Sequence, residues 1–103
     1  MSYLRGNVYF TNITGEEKPY LVISNNRRNS QLKSALAVRI TTSRKPAMDS
    51  IVPIPAGEAV VGSILCDDIE TLYDDDNSRH GGALTVATMR AVAQGLRVAL
   101  ALS

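Results

Sequence analysis

The chain has 103 residues, of which 45% are hydrophobic and 20% charged, and its formal net charge is +1. This length and composition favour a single globular domain over residues 1–103 and argue against disorder. No apolar run approaches the roughly 20 residues that cross a bilayer, so we expect neither a membrane span nor a secretory leader. The lone Cys66 cannot form an internal disulfide, which fits the reducing cytoplasm.

The charges are distributed unevenly along the chain. Residues 18–48 carry seven cations and no acid, whereas residues 49–103 carry eight acids and three arginines. A charge block usually means a solvated face of the protein. A run of seven cations without a counter-ion instead favours a surface that binds a polyanion such as a nucleic acid.

Several runs of residues predict β-strands. Alternating apolar residues predict a strand over 5–12, and the run 19–25 predicts a second strand that is covered on both faces. The β-branched run 35–43 predicts a third strand, in which Arg39 and Thr41 share one face. Further strands are expected over three shorter segments, namely 50–55, 60–67 and 69–72.

The C-terminal segment predicts one amphipathic helix that follows Thr85 as its N-cap. Its apolar residues recur at helical spacing and form a stripe for core packing: Val86, Met89, Val92, Ala93, Leu96, Ala99 and Leu100. Polar residues fall on the other side of the helix. The sequence therefore predicts a mainly β chain with a C-terminal α-helix.

The acidic tract 66–76 is the first place to look for a metal site. Its carboxylates lack the spacing and the glycine of a hard-cation loop, so we expect solvated turn carboxylates, no metal and no cofactor. Asp67 stands apart, because it is expected to end a strand and to face the rim that carries the cations.

Histidine and cysteine, which often carry chemistry, each occur once. His80 lies between a polar turn and two glycines, where it is either a surface residue or a general acid or base. A loop histidine without a partner favours the surface interpretation. Cys66, in an apolar strand, is expected to be a small core residue.

The strongest candidate site combines Lys18 with hydroxyls of the third strand. Pro19 has a fixed φ and no N–H, so it holds Lys18 at the rim of the sheet. Together with Arg39 and Thr41, which point the same way, this cation can grip one phosphate. The alternative is that Lys18 simply starts a strand in solvent and that Thr41 is a plain β-former.

Five successive segments carry a resemblance to a known family: RGNVYFTNI, KPYLVISNN, AVRITTS, GSILCDDIETL and the terminal amphipathic helix. In this order and spacing they resemble the MazF/PemK toxins of bacterial toxin–antitoxin modules. The resemblance implies an SH3-like barrel of the CcdB/PemK type, assembled as a homodimer. It also implies a cytoplasmic, sequence-specific, metal-independent endoribonuclease that cleaves single-stranded RNA. A MazE-like antitoxin with an acidic C-terminal tail would neutralise it.

The resemblance also implies roles for individual residues. In the family, catalysis rests on an arginine before the proline and on a threonine after the third strand, which fall here on Lys18 and Thr41. Lysine replaces the arginine, as in an actinobacterial-type branch, and an aspartate seen in some members matches Asp67. The 2′-OH would attack the neighbouring phosphorus and leave a 2′,3′-cyclic phosphate and a 5′-OH end. Six residues are expected to bind the RNA: Arg27, Arg28, Arg39, Thr42, Ser43 and Arg44.

Two other functions stay open on the sequence alone. A CcdB-like inhibitor of DNA gyrase would use a partner-facing C-terminal helix and would cut no RNA. A non-catalytic SH3-like adaptor would bind nucleic acid equally well without Lys18, because fold alone does not fix function.

Overall fold

The computed structural model describes residues 2–102, in which six strands form one antiparallel sheet. The strands are β1 (Asn7–Asn12), β2 (Glu17–Val22), β3 (Ser34–Thr41), β4 (Ile51–Pro53), β5 (Ser63–Tyr73) and β6 (Arg79–Ala83). The helices are α1 (Asn26–Leu32) and α2 (Val86–Ala99). The strands lie in the order β4-β5-β3-β2-β1-β6, so β3 and β2 are central. The predicted class, mainly β with a C-terminal helix, is confirmed.

Neighbouring residues of a strand point to opposite sides of the sheet. In this sheet both sets of positions carry apolar residues, so both faces are apolar. One face packs against α2 and contains Val8, Leu21, Val38, Ile64 and Cys66, with Met89 and Val92 of the helix. The other face carries a cluster of Tyr3, Tyr9, Tyr20, Val22, Ala35, Ala37 and Leu72. The central strand β2 is thus covered on both faces, as its continuous apolar run predicted.

A short helix that the sequence did not reveal follows β2. The strand ends at Val22 rather than at residue 25, and Asn25 caps α1 by accepting a hydrogen bond from the Arg28 N–H. The only buried residue of α1 is Asn29, whose amide donates to the Tyr3 and Ser24 carbonyls. A helix held by polar contacts has no apolar periodicity, which explains why the pattern did not predict it.

The predicted strands 60–67 and 69–72 are one strand, β5, which contains a bulge. Leu65 pairs with Arg39 and Ile69 pairs with Val38, which are consecutive on β3. The three residues of β5 between Leu65 and Ile69 therefore have no partner on β3 and form the bulge. Asp67 lies inside this bulge. The prediction that Asp67 ends a strand is therefore wrong.

The last strand, β6, was missed because two of its five residues are glycines, which are poor strand formers. It pairs with β1 and places His80 beside Tyr9, so His80 is in a strand rather than a loop. A Cβ on Gly81 would lie 2.5 Å from the Phe10 ring, which shows that the glycine makes room for that side chain.

The C-terminal helix begins where the sequence predicted, with the Thr85 hydroxyl accepting from the Thr88 N–H at 3.3 Å. Met89 and Val92 are buried, but Val86 is 69% exposed and Leu100 is 49% exposed. The predicted stripe is therefore wrong at its two ends, because the first and last turns of α2 extend past the chain's own core.

The β4–β5 loop (residues 54–62) is closed and tied to α2. The Ile54 N–H donates to the Gly62 carbonyl at 2.9 Å. The Glu58 carboxylate accepts from the Thr85 N–H at 3.1 Å and from the hydroxyls of Thr85 and Thr88. These bonds, that from Thr88 first, lower the pKa of Glu58. The carboxylate thus fixes the middle of the loop to the start of the helix.

We expect Gly62→Ala to lower the free energy of unfolding by about 2–4 kcal/mol. Gly62 has a φ of +126°, and an added Cβ would lie 2.5 Å from the Thr41 carbonyl oxygen. The matched control is Gly57→Ala, where φ is +94° and nothing lies within 4 Å, so only the backbone cost of about 1 kcal/mol remains. Urea denaturation followed by circular dichroism measures both, and equal losses would contradict the proposed contact.

The hydrogen bonds to Glu58 also predict an acid-sensitive contribution to stability. Because the folded state lowers this pKa, the contribution is present above the ordinary carboxyl pKa and is lost as the pH falls through the lowered value. We expect Glu58→Gln to flatten the decline of the unfolding free energy in acid. Urea midpoints at a series of pH values test this, and parallel curves for the two proteins would refute it.

Candidate active site

The strands β2 and β3 place Lys18 and Thr41 side by side. Tyr20 pairs with Arg39, and extending this antiparallel register by two residues brings Lys18 opposite Thr41 on the same face. Lys18 and Thr41 line a hollow of about 250 Å³ together with Arg39, Thr42, Ser43 and neighbouring residues. The face is the one opposite α2. Lys18 and Thr41 thus share one cavity, which is necessary if both are to contact the same phosphate.

The ammonium group of Lys18 is held at the rim of this cavity, here called the Lys18 hollow. Its side chain is 26% exposed, and its Nζ lies 3.0 Å from a carboxylate oxygen of Glu16, which is 76% exposed. An exposed ion pair of this kind contributes little stability. An incoming phosphate can therefore replace the carboxylate at low cost.

Thr41 is buried at the end of β3 and has a fixed orientation. Its Oγ1 accepts a hydrogen bond from the Ser43 N–H at 3.1 Å, and its carbonyl is in close contact with Gly62. Since the oxygen acts as an acceptor within the chain, the hydroxyl proton is free to be donated to a phosphoryl oxygen.

Arg39 brings a second cation to the Lys18 hollow. Its Nε donates to the Ile40 carbonyl at 3.2 Å, and its cross-strand neighbour is the buried Tyr20. Burial raises the pKa of Tyr20, and the positive charge of Arg39 opposes part of this rise. Thr42 and Ser43 lie just past the strand end, where they are exposed and line the same hollow. Arg44 follows in the exposed loop and does not line it.

Arg27 and Arg28 lie elsewhere, because α1 follows the far end of β2 from Lys18. Arg27 is exposed on the helix. The Arg28 guanidinium donates to the Ser34 carbonyl at 2.8 Å and so ties α1 to the start of β3. Arg28 thus has a structural partner. Neither arginine lines the Lys18 hollow, although the sequence predicted that both bind the RNA.

Asp67 also lies outside the Lys18 hollow. With Asp68 and Lys45 it lines a separate cavity of about 400 Å³, next to Ile51 and Leu65. Asp67 belongs to the β5 bulge between Leu65 and Ile69. The break predicted at residue 68 falls inside this bulge, but the sequence did not show that the strand continues on both sides of it.

The single histidine and the single cysteine are also outside the site. His80 is exposed and its Nε2 is hydrogen-bonded to Asn7 Oδ1 at 2.8 Å, as expected of a surface histidine. Cys66 is buried under α2, and burial, with a smaller effect of Asp67, raises its thiol pKa to about 11. The thiol is therefore protonated at neutral pH, and the core assignment of Cys66 is confirmed.

One feature beside the site was missed because β6 was missed. Arg79 on that strand forms an ion pair with Glu17 at 2.8 Å, and its guanidinium carbon lies 4.4 Å from the centre of the Phe10 ring. Glu17 also lines the Lys18 hollow. A third cation is therefore positioned at the border of the site.

Between residues 2 and 102, no three His, Cys, Asp or Glu side chains are grouped to hold a metal ion. In the same part of the chain, no helix has the length and apolar character needed to span a membrane.

The chain is similar to known proteins over nearly its full length. The chain is 36% identical over 99 residues to Endoribonuclease MazF1 of Mycobacterium bovis and to Endoribonuclease MazF4 of Mycobacterium tuberculosis, which covers 96% of this chain and 93% of each relative. A solved mycobacterial endoribonuclease in complex with its cognate antitoxin is 35% identical and has a TM-score of 0.93 over 99% of this chain and 98% of that chain.

The family comparison covers almost the whole chain. Residues 4–100 match the PemK-like, MazF-like toxins of type II toxin–antitoxin systems. The expected SH3-like fold of the CcdB/PemK type is confirmed by the superposition on the mycobacterial structure. By sequence and by fold, the chain belongs to the PemK/MazF-like toxin family.

Proposed function

We propose that the protein is an endoribonuclease toxin that cleaves single-stranded RNA in the Lys18 hollow. The observation that carries the proposal is the shared cavity of Lys18 and Thr41 in a chain whose relatives are endoribonucleases over nearly its full length. Neither a gyrase inhibitor nor a non-catalytic adaptor is favoured, because the relatives are enzymes that cut RNA and the hollow suits a phosphate.

The chemistry uses a nucleophile that RNA itself supplies. The 2′-oxygen attacks the adjacent phosphorus, the bond from phosphorus to the 5′-oxygen breaks, and the 2′-proton passes to a base in the surrounding water. The products are a 2′,3′-cyclic phosphate and a 5′-OH end. The protein has to align the two oxygens and to stabilise the charge that builds on the phosphoryl group. Neither a metal nor a protein nucleophile is required for this route.

Lys18 and Thr41 divide this work. The Lys18 ammonium replaces its contact with Glu16 by one with the phosphate, neutralises the developing charge and donates a proton to the departing 5′-oxygen. The Thr41 hydroxyl donates to a non-bridging oxygen. Arg39, Thr42 and Ser43 bind the flanking backbone, and Arg44 reaches a further phosphate from its loop.

The substrate is single-stranded, because the reacting oxygens have to approach the in-line geometry that a regular helix denies them. The cations around the hollow bind any RNA backbone, so messenger, transfer and ribosomal RNA all have the necessary chemistry. Sequence preference has to come from contacts to the bases rather than to the phosphates.

The partner that neutralises the toxin is a MazE-like antitoxin with an acidic tail. The cations of the basic segment 18–48 suit carboxylates as well as phosphates, and the mycobacterial relative was solved with its cognate antitoxin. We also propose a homodimer, since apolar side chains are exposed along and after α2: Val86, Val98, Leu100 and Leu102. The proposed location is the cytoplasm, because it contains RNA and keeps a free thiol such as that of Cys66 reduced.

Lys18→Ala and Thr41→Val should each lower kcat/KM for RNA by about 100- to 1,000-fold, because each removes one group that stabilises the transition state. Lys18→Arg should retain more activity than Lys18→Ala, since it keeps the charge. Cleavage of a fluorescent single-stranded RNA in EDTA, with the antitoxin absent, measures all three variants.

The matched controls are Lys45→Ala and Thr71→Val, which change the same residue types outside the Lys18 hollow. Asp67→Asn belongs with them, because Asp67 lines a separate cavity. We expect these three changes to alter kcat/KM by less than about threefold. Full activity in Lys18→Ala, or a loss in the controls as large as in the site variants, would contradict the assignment.

A substrate carrying 2′-deoxyribose at the scissile nucleotide should bind and not be cut, because the nucleophile is missing. The same sequence with ribose should give fragments that T4 polynucleotide kinase labels at the 5′ end without prior dephosphorylation. Gel mapping of both RNAs in EDTA tests this. Cleavage of the deoxy substrate would exclude 2′-OH attack, and a strict metal requirement would exclude the metal-independent route.

A further inference from the structure

A second hollow adjoins the Lys18 hollow and has a different character. It has a volume of about 450 Å³, and its lining is mostly apolar: Phe10, Pro19, Thr42, Ala59, Val60 and Val61. Pro19 and Thr42 line both cavities. The two hollows are therefore neighbours that one ligand can occupy together. The second is called the apolar hollow below.

The wall made by the β4–β5 loop is held in place at three points. Gly62 lies against the Thr41 carbonyl, and a Cβ on Gly82 would lie only 2.7 Å from the Ala59 Cβ. Glu58 is hydrogen-bonded to the start of α2 through Thr85. A wall anchored in this way is already shaped before a ligand arrives, which lowers the entropic cost of binding.

The apolar wall is exposed to water although it belongs to a rigid loop. Val61 is 76% exposed, and Phe10 on the opposite side is only half-buried, with Arg79 over its ring. The single hydroxyl of the lining is that of Thr42. Apolar surface with a few polar groups at its edge is the environment that an unstacked nucleobase prefers in a protein.

The two hollows meet at the residues that they share. Lys18 and Pro19 are consecutive in β2, so their side chains point to opposite faces of the sheet near the start of that strand. Pro19 and Thr42 nevertheless line both cavities, which places the two hollows side by side at this rim of the sheet. A ligand that fills both therefore carries an anion next to an apolar group, and a nucleotide has this composition.

We propose that the apolar hollow receives the base of a nucleotide next to the scissile phosphate, and that Val61 contributes to the sequence preference of cleavage. The inference rests on the endoribonuclease function proposed above and adds the residue that reads one position of the substrate. Val61 touches the base and takes no part in the bond-breaking step.

The test is Val61→Ser, a change at an exposed position that should leave the fold intact. Wild type and variant digest the same pool of RNA with random sequence, and the 5′-OH ends are sequenced. We expect the base preference to be lost at one position beside the cut and to be kept at the other positions. On the RNA that wild type prefers, kcat/KM should fall about 3- to 10-fold, as for the loss of an aliphatic contact of one or two methyl groups.

The matched control is Leu32→Ser, which also removes an exposed apolar side chain but lies on α1, away from both hollows. Its cleavage pattern should equal that of wild type. An unchanged preference in Val61→Ser would overturn the base-binding role while leaving the nuclease intact. Dissociation of an oligomer by Val61→Ser in size-exclusion chromatography, with an equal loss of rate on every sequence, would make the hollow a protein interface instead. If wild type cut no RNA, the proposed function itself would fail.

Discussion

The pairing of β2 with β3 is the constraint on which the rest of the site depends. Both strands are central in the sheet and buried on two faces, so their register cannot slip without moving every core side chain to the wrong side. This register places Lys18 opposite Thr41. The same packing that stabilises the fold therefore also sets the distance between a cation and a hydroxyl, and no flexible loop has to close to bring them together.

The sequence predicted those parts of the fold that come from local patterns. Continuous apolar residues identified β2, and the capping residue Thr85 with its helical stripe identified α2. Elements stabilised by tertiary contacts escaped prediction. The helix α1 depends on hydrogen bonds of the buried Asn29, and β6 depends on pairing with β1 in spite of its glycines. The bulge at Asp67 arises from how β5 fits β3, which no single segment encodes.

The charge block predicted that anions matter but could not say which cations meet them. Seven cations lie between residues 18 and 48, yet only Lys18 and Arg39 line the Lys18 hollow. Arg28 instead joins α1 to β3, and Lys45 lies beside Asp67. The number of cations predicts the sign of the partner's charge. The order of the strands and the positions where they end decide which cations can contact that partner. The sequence singled out Lys18 because Pro19 limits its backbone, a local effect that sequence alone carries, and the fold brings this side chain into one hollow with Thr41.

The proposed function has one site bind both an RNA and an inhibitor, and the contact between Lys18 and Glu16 supports this. The chain's own carboxylate lies 3.0 Å from the ammonium, so a carboxylate fits the place that the proposal assigns to the phosphate. Glu16 is exposed and single, so its hold on Lys18 is weak and RNA can displace it. A partner that delivers several carboxylates on one chain gains from their high effective concentration and competes far better. An acidic tail can therefore block the hollow by the same electrostatics that bind the substrate, without any change in the fold of the toxin.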